Sequence, residues 1–435
     1  MLQRVLKRGR ITTSACLQHT NFRSLAVRTA YHCIDISSLP STTRNMSASF
    51  LSSTSSDAVN LLDMASTVLA SAVSASESIR AFAQPNGESE EDQKNARLKA
   101  DGSFVTDADF VAQRIITLAV QKVNHAVRIL GEESPEGVAK VDDDNLQCNV
   151  DQQTYERCRE EVYLRFQNRP LNGIPPRGDF GSSLPLASSN SDAGGNTFDI
   201  SFALSENEKA EVLVDASRVC VIIDPLDGTS SYAKGEYDAV SVLISVNLDF
   251  QPYFGIICKP FGCEGVPSIL STKCMAVYGG PLLGAGYIAG GKALKAFVAP
   301  HEGVPKEDLP RAVISSSRSK GIVEDVCRHL GSLGLLHPDP MHISGAGEKS
   351  LRLVLRQQNE ALWFFPREGT SLWDIAASDA ILRAIGGKVT DKFGNQLDYS
   401  KSRDEAENSE GVIACSSEKL HAECMQIFQE KNWED

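Results

Sequence analysis

Two acids three residues apart, Asp224 and Asp227, close the apolar run Cys220-Val221-Ile222-Ile223 and precede Gly228 and Thr229. This pattern predicts a buried strand that delivers carboxylates to a turn. Pro225 fixes its own φ and biases Asp224 toward extended backbone, so both acids can converge on one side of the bend. Convergent carboxylates cannot all stay ionised without a cation. A hard divalent ion such as Mg²⁺ takes oxygen ligands and keeps waters that a phosphate can displace, so it suits such a cluster. Gly228 and Thr229 would then offer N–H groups and a hydroxyl to the phosphate, most readily if a helix begins there. A surface turn of Asp, Pro and Gly would read the same way.

Three further segments carry acids at the ends of predicted elements. Lys99-Ala100-Asp101-Gly102-Ser103-Phe104-Val105-Thr106-Asp107-Ala108-Asp109 leads into a helical stretch from Phe110 to Val123, which Asp107 or Asp109 could cap. Val127-Arg128-Ile129-Leu130 reads as a short strand ending in Gly131-Glu132-Glu133, or as the approach to an exposed turn. Asp374 opens an apolar helical run, Leu372 to Leu382, that stops at Gly386-Gly387, and an N-cap aspartate would explain that spacing by itself.

The elements that must position these acids fall into two halves, about 55–300 and about 301–435, of one domain spanning 55–435. Apolar spacing from Asp57 to Phe82 predicts an amphipathic helix packed on the core. Ala239 to Val246 and Tyr253 to Cys258 predict adjacent antiparallel strands. Gly284-Ala285-Gly286-Tyr287-Ile288-Ala289 superficially matches a dinucleotide fingerprint but lacks a surrounding βαβ unit, which favours a hairpin turn. In the second half, strands at Ala312-Val313-Ile314, Met341-His342-Ile343 and Leu362 to Phe365 alternate with helices at Ile322 to Leu330 and Glu348 to Gln357, a layered α/β pattern. Ser317-Arg318-Ser319-Lys320 and Gly345-Ala346-Gly347-Glu348-Lys349 follow two of these strands. Each is placed to meet a phosphate or nucleotide, or to serve as an ordinary turn and cap. Residues 134–215 show no sustained periodicity and read as a long, partly disordered insertion.

Net charge is −13, but residues 1–50 hold seven Arg or Lys against Asp35 alone, leaving the remainder near −19. An acidic body argues against a nucleic-acid polymer or an anionic membrane as partner through the overall field. No apolar run is long enough for a membrane span. The eleven cysteines are scattered singly, without zinc or disulfide spacing, as expected of reduced thiols. The acid-poor, Arg-, Ser- and Thr-rich start, 1–50, reads as a targeting presequence for organelle import. A mitochondrion is favoured and a plastid is the alternative, with a cytoplasmic place if the segment is not functional.

Together, Val-Thr-Asp-Ala-Asp at 105–109, Gly-Glu-Glu at 131–133, Asp-Pro-Leu-Asp-Gly-Thr at 224–229 and Trp-Asp-Ile-Ala-Ala at 373–377 resemble the ordered motifs of the lithium-sensitive, magnesium-dependent phosphatase superfamily. That superfamily includes inositol monophosphatases and 3′(2′),5′-bisphosphate nucleotidases. Ser317-Arg318-Ser319 and Gly345-Ala346-Gly347-Glu348-Lys349 look closer to the nucleotidases. Three positions depart from the nucleotidase pattern: Lys320 stands for a histidine, Leu372 for a lysine and Ser230 for a lysine or glutamine. The resemblance implies an α/β (α+β) fold, a layered αβαβα sandwich of the inositol monophosphatase and sugar phosphatase type. It implies hydrolysis of 3′-phosphoadenosine 5′-phosphate to AMP and phosphate, with an inositol polyphosphate 1-phosphatase or inositol monophosphatase as the alternative and a non-catalytic phosphometabolite binder behind both.

By the same resemblance, two or three Mg²⁺ ions would be held by Glu132, Asp224, the Leu226 carbonyl, Asp227 and Asp374. Asp109, with Thr229, would activate the attacking water. Gly228, Thr229, Ser319, Lys320, Gly347, Lys349 and Asp374 would bind the substrate, a small phosphorylated molecule, either adenosine bisphosphate or an inositol phosphate.

Overall fold

The computed structural model describes residues 57–83, 97–98, 104–141, 150–170, 204–268, 273–298, 304–431 and 433. All of these lie in the contact unit Thr54–Asp435. The basic leader at 1–50, Lys99 to Ser103, Asp142-Asp143-Asp144 and the polar run from 171 to 196 lie outside the described residues.

The first helix departs from the sequence expectation in two ways. Residues Ala58–Asn60 form a strand, β1, and helix α1 (Leu61–Ala83) starts only where the Asn60 side chain accepts the Leu62 N–H at 2.9 Å. The helix is also buried around most of its girth rather than on one face. Its many alanines and serines let neighbours approach from several sides. The hydroxyls of Ser66 and Ser71 are satisfied by helix carbonyls at 2.6 and 3.0 Å, so their burial leaves no orphan polar group. After the short pair β2 (Arg97–Leu98) and β3 (Phe104–Val105), α2 (Asp107–Val123) packs on α1. Thr106, not Asp107 or Asp109, is its N-cap, and Asp109 closes a capping box from the third helical position. Strand β4 (Arg128–Gly131) follows.

Much of the stretch read as an insertion is built into the fold. Its described residues form α3 (Pro135–Val138), α4 (Gln152–Gln167), α5 (Glu206–Val212) and β5 (Leu213–Asp215), the last paired antiparallel with β1. Cys158, Val162 and Phe166 of α4 pack in the same core as α1. Burying side chains such as Val162 and Phe166 contributes roughly 1.5–3 kcal/mol each. The polar side of α4 is also anchored, since Glu161 accepts from Tyr278 Oη at 2.7 Å and from Arg165 at 3.0 Å.

The first sheet has six strands in the order β10-β9-β8-β7-β6-β4, made by β4, β6 (Val219–Asp227), β7 (Ser241–Leu248), β8 (Gln251–Lys259), β9 (Met275–Gly280) and β10 (Ala285–Ile288). Only the β4–β6 pairing is parallel. As expected, the glycine-rich segment at 284–289 belongs to the β9–β10 hairpin, and among the described residues no α-helix follows it before residue 311. A short helix, α6 (Thr229–Lys234), leaves β6.

Sheet two runs β12-β11-β13-β15-β14, from β11 (Arg311–Ser315), β12 (Met341–Ile343), β13 (Glu360–Phe365), β14 (Lys388–Thr390) and β15 (Val412–Cys415). Helices α7 (Ile322–Ser332) and α10 (Glu418–Glu430) cover its outer face, while α8 (Ala346–Leu355) and α9 (Leu372–Ala384) lie between the sheets. The layers therefore run α1/α2/α4, sheet one, α8/α9, sheet two, α7/α10, which is the αβαβα order expected. Close packing of the middle layer requires Gly255 on β8, because a Cβ there would stand 2.0 Å from the Ala377 carbonyl oxygen of α9. No described helix is long and apolar enough to cross a membrane.

Candidate active site

Residues three apart on a regular strand face opposite sides of the sheet, where Asp224 and Asp227 would diverge instead of converging as the Pro225 bend predicts. They converge because the β6–β7 register slips by one residue between them: Asp224 pairs with Leu243 and Asp227 with Ser241. Pro225 has no N–H for the ladder, and a bulge is where a strand tolerates it. The extra residue turns Asp227 back to the side of Asp224. Asp374 joins them from the first turn of α9, and ligand oxygens of all three lie within 4.8 Å of one another.

Each carboxylate is held by neighbours that fix its direction. Asp227 accepts the N–H groups of Ala346 and Gly347, at 3.0 and 2.8 Å, and the Ser241 hydroxyl at 3.1 Å. Asp224 accepts the Leu226 N–H at 3.1 Å and meets the Glu132 carboxyl side chain to side chain. Asp374 closes a capping box with Ser371, the counterpart of Asp109 and Thr106 on α2, so it too is not the N-cap that its spacing allowed. Glu132 is set at the end of β4 by its N–H to the Ile223 carbonyl and by Arg403, which grips the Glu132 carbonyl. Glu133 is buried, its backbone clasped on both sides by the Gln113 amide.

Asp109 is fully buried beside this group. Its Oδ2 accepts the Thr106 N–H and hydroxyl at 2.8 and 2.6 Å, and its Oδ1 lies 3.1 Å from the Thr229 hydroxyl. That hydroxyl is also 2.9 Å from the Leu226 carbonyl. One hydroxyl proton cannot serve two acceptors, so Thr229 either donates to Asp109 or donates to Leu226 while Asp109 holds a proton. The balance is close: burial, aided by Glu132 and Glu133, pushes Asp109 up to about 7 against the Thr106 hydrogen bonds. Burial and then the Asp227 charge push Asp374 up to about 8. Asp224 is raised well above the usual carboxylate range by burial and by Glu132, Asp227 and Asp374.

Lys349 is the cation nearest at hand, but it is buried, donates to the Gly345 carbonyl at 2.7 Å, and is lowered by desolvation despite Asp227 and Asp374. A single buried ammonium cannot balance Glu132, Asp224, Asp227 and Asp374. All-oxygen donors, desolvated and mutually repelling, fit a hard divalent cation.

Glu132, Asp227 and Asp374 open onto a cavity of about 540 Å³. Gly228, Thr229, Lys349 and Asp374, all expected to meet substrate, line it. The other three substrate candidates do not. Ser319 is buried with its hydroxyl on Glu324 at 3.0 Å, Lys320 is exposed outside the lining, and Gly347 meets Asp227 through its N–H with its Cα packed on Ser241. Ser317, Arg318 and Ser344 reach the cavity instead, with Lys234. Arg318 donates to the Gly369 carbonyl at 2.8 Å and lies over the Phe365 ring at 5.3 Å. The Ser317-Arg318-Ser319-Lys320 run was legible as a phosphate-facing loop, but which of its side chains turned inward was not.

Gly345 lets α8 approach. At φ 78°, a Cβ would stand 2.6 Å from the Ala239 carbonyl oxygen and 3.0 Å from Asp227 Oδ2. Gly345→Ala should lower stability by about 2–4 kcal/mol, combining left-handed strain with overpacking, and should loosen the clamp on Asp227. Denaturant melts and the Mg²⁺ titration of the variant check this.

Over residues 196–432 the sequence matches the model of the inositol monophosphatase family, and the chain belongs to that family. Among curated proteins it is similar to 3′(2′),5′-bisphosphate nucleotidase 1 of Dictyostelium discoideum, 33% identical over 195 residues that cover 44% of this chain and 58% of that protein. It is 32% identical to the Homo sapiens 3′(2′),5′-bisphosphate nucleotidase 1 over 201 residues, 45% of this chain and 56% of the relative. The matched region thus spans just over half the length of these relatives. Among solved structures, extragenic suppressor protein suhB from Bartonella henselae superposes with a TM-score of 0.46 at 15% identity, covering 84% of this chain and 98% of that one.

Proposed function

We propose that this chain is a Mg²⁺-dependent phosphomonoesterase that hydrolyses 3′-phosphoadenosine 5′-phosphate to AMP and phosphate. The observation that carries the reaction class is the Asp109–Thr229–Leu226 carbonyl relay, set beside the converged Asp224, Asp227 and Asp374, of which Asp227 and Asp374 line the cavity. Magnesium, held by Glu132, Asp224, Asp227, Asp374 and the Leu226 carbonyl, would neutralise phosphate oxygens, acidify a water and stabilise the departing oxygen. Asp109, when ionised, would accept the proton of the attacking water, and Thr229 keeps Oδ1 in line by its hydroxyl. The phosphoryl group passes directly to water, so no nucleophilic side chain is required.

The similarity to 3′(2′),5′-bisphosphate nucleotidases supports the nucleotide as substrate. Lys234, Arg318 and Lys349 on the cavity wall suit a substrate with a second phosphate. An inositol phosphate is the competing reading, favoured by the hydroxyls of Ser315, Ser317, Ser344 and Thr370 along the same wall.

Phosphate release from 3′-phosphoadenosine 5′-phosphate, inositol 1,4-bisphosphate and inositol 1-phosphate, with and without Mg²⁺, tests both. Mg²⁺-dependent preference for the nucleotide by at least about 10-fold in kcat/KM is expected, together with a raised KM in Arg318→Ala. Preference for either inositol phosphate overturns the substrate, and release without a divalent ion overturns the reaction class.

A further inference from the structure

A line of buried charge runs from the first sheet to the second through α8. Lys259, the last residue of β8, is 2% exposed; its ammonium donates to Glu348 Oε2 at 2.8 Å and to the Asp238 carbonyl. Glu348 accepts from Arg352 at 2.8 Å, and Arg352 stands 3.5 Å from Glu360, a wholly buried acid at the start of β13. Taking an ammonium out of water is costly, and an apolar side chain of similar volume would often serve stability as well. The position of the two Lys259 acceptors gives the charge another use.

Glu348 follows Gly347 in the first turn of α8, where the Ala346 and Gly347 N–H groups grip Asp227. Asp238 precedes Ala239, whose carbonyl oxygen is the backbone atom packed nearest to both Gly228 and Gly345. Lys259 therefore ties together the start of α8 and the 237–240 segment. Gly228, next to Asp227, packs on one of these and the Asp227 clamp belongs to the other.

We propose that Lys259 is a positioning residue: through Glu348 and the Asp238 carbonyl it holds the α8 amides on Asp227, and so sets the direction in which Asp227 presents its oxygens. The geometric part stands on the contacts above. Its consequence for cation binding rests on the metal reading under Proposed function.

Lys259→Met keeps the length of the side chain and removes its charge. In the full chain without divalent ions, hydrogen exchange at the Ala346 and Gly347 amides should quicken at least about 10-fold, while the amides of β6 and β7 keep their protection. Mn²⁺ affinity by calorimetry should weaken by about 10-fold or more, as when support around a ligand is lost. Unchanged exchange at both amides, or a rise spread evenly over β6 and β7, overturns the positioning role. Should Lys259→Met fail to fold, Glu348→Gln, which keeps shape and the Arg352 contact, is expected to show the same two effects and is judged by the same outcomes. A wild-type chain that takes up no Mn²⁺ overturns the metal reading, and the exchange measurement still decides the role of Lys259.

Discussion

In Asp224→Asn, Mg²⁺-dependent phosphate release is expected to fall by at least about 10³-fold while the metal-free protein becomes more stable. The two effects have one origin. Asp224 is buried among Glu132, Asp227 and Asp374, and its carboxyl is raised by that burial and by those charges. An amide keeps the oxygen that accepts the Leu226 N–H at 3.1 Å, so the local backbone keeps its bond. What disappears is a carboxyl whose ionised form burial and the neighbouring acids disfavour and a bound cation would favour. Losing an ionisable oxygen removes cation affinity and, with it, activity; losing a buried acid that the unfolded chain ionises freely raises the melting temperature without divalent ions. Asp224→Ala should abolish turnover equally, with a smaller gain in stability because it leaves a void. Turnover and metal-free thermal melts on both variants decide the matter. Retained phosphatase activity in either would remove the metal-centred account of this site.

The second large effect is a reversal of pH dependence by the divalent ion. Asp109 and Asp374 titrate near 7 and 8 in the metal-free fold, against an ordinary 3.8, and Asp224 is raised as well. Between about pH 4 and pH 8 the folded chain therefore holds protons that the unfolded chain has released. Stability then falls as pH rises through that window, by an amount on the order of several kcal/mol for carboxyls so placed. Cation binding requires the ionised forms and displaces these protons, so apparent Mg²⁺ affinity should climb from pH 6 to pH 8. Saturating Mg²⁺ should flatten or invert the stability slope, since a ligand of the native state adds its own stabilisation. Thermal melts at pH 5, 6.5 and 8, in chelator and in excess Mg²⁺, measure both slopes. A metal-free protein that gains stability toward pH 8 would refute the buried-acid argument.

Local signals made much of this molecule legible. Alternation and apolar runs marked β6, β7 and β8, and helical spacing marked α2, α7, α8 and α9 within a few residues. Capping by Asp107, Asp109 or Asp374, which the spacing allows, falls instead to Thr106 and Ser371, with Asp109 and Asp374 answering from the third helical residue. A capping box leaves that aspartate side chain facing the end of the helix, where a site can use it. Helix α4 was missed although Tyr155, Cys158, Val162 and Phe166 recur at helical spacing, because the charged residues between them hide the stripe.

By itself the sequence determined the acids, the strand and helices that carry them, and the turn chemistry of Asp-Pro-Leu-Asp-Gly-Thr, since these depend on neighbours only a few residues away. Tertiary structure realised the convergence of Asp224 and Asp227 that the Pro225 bend allowed, because the one-residue slip exists only relative to β7. It also turned Arg318 rather than Lys320 toward the cavity, since the direction of a loop side chain depends on what packs beneath it, here Gly369 and the Phe365 ring. Nor could spacing along the chain bring Asp374 to Asp224, 150 residues earlier; α9 packed between two sheets does that.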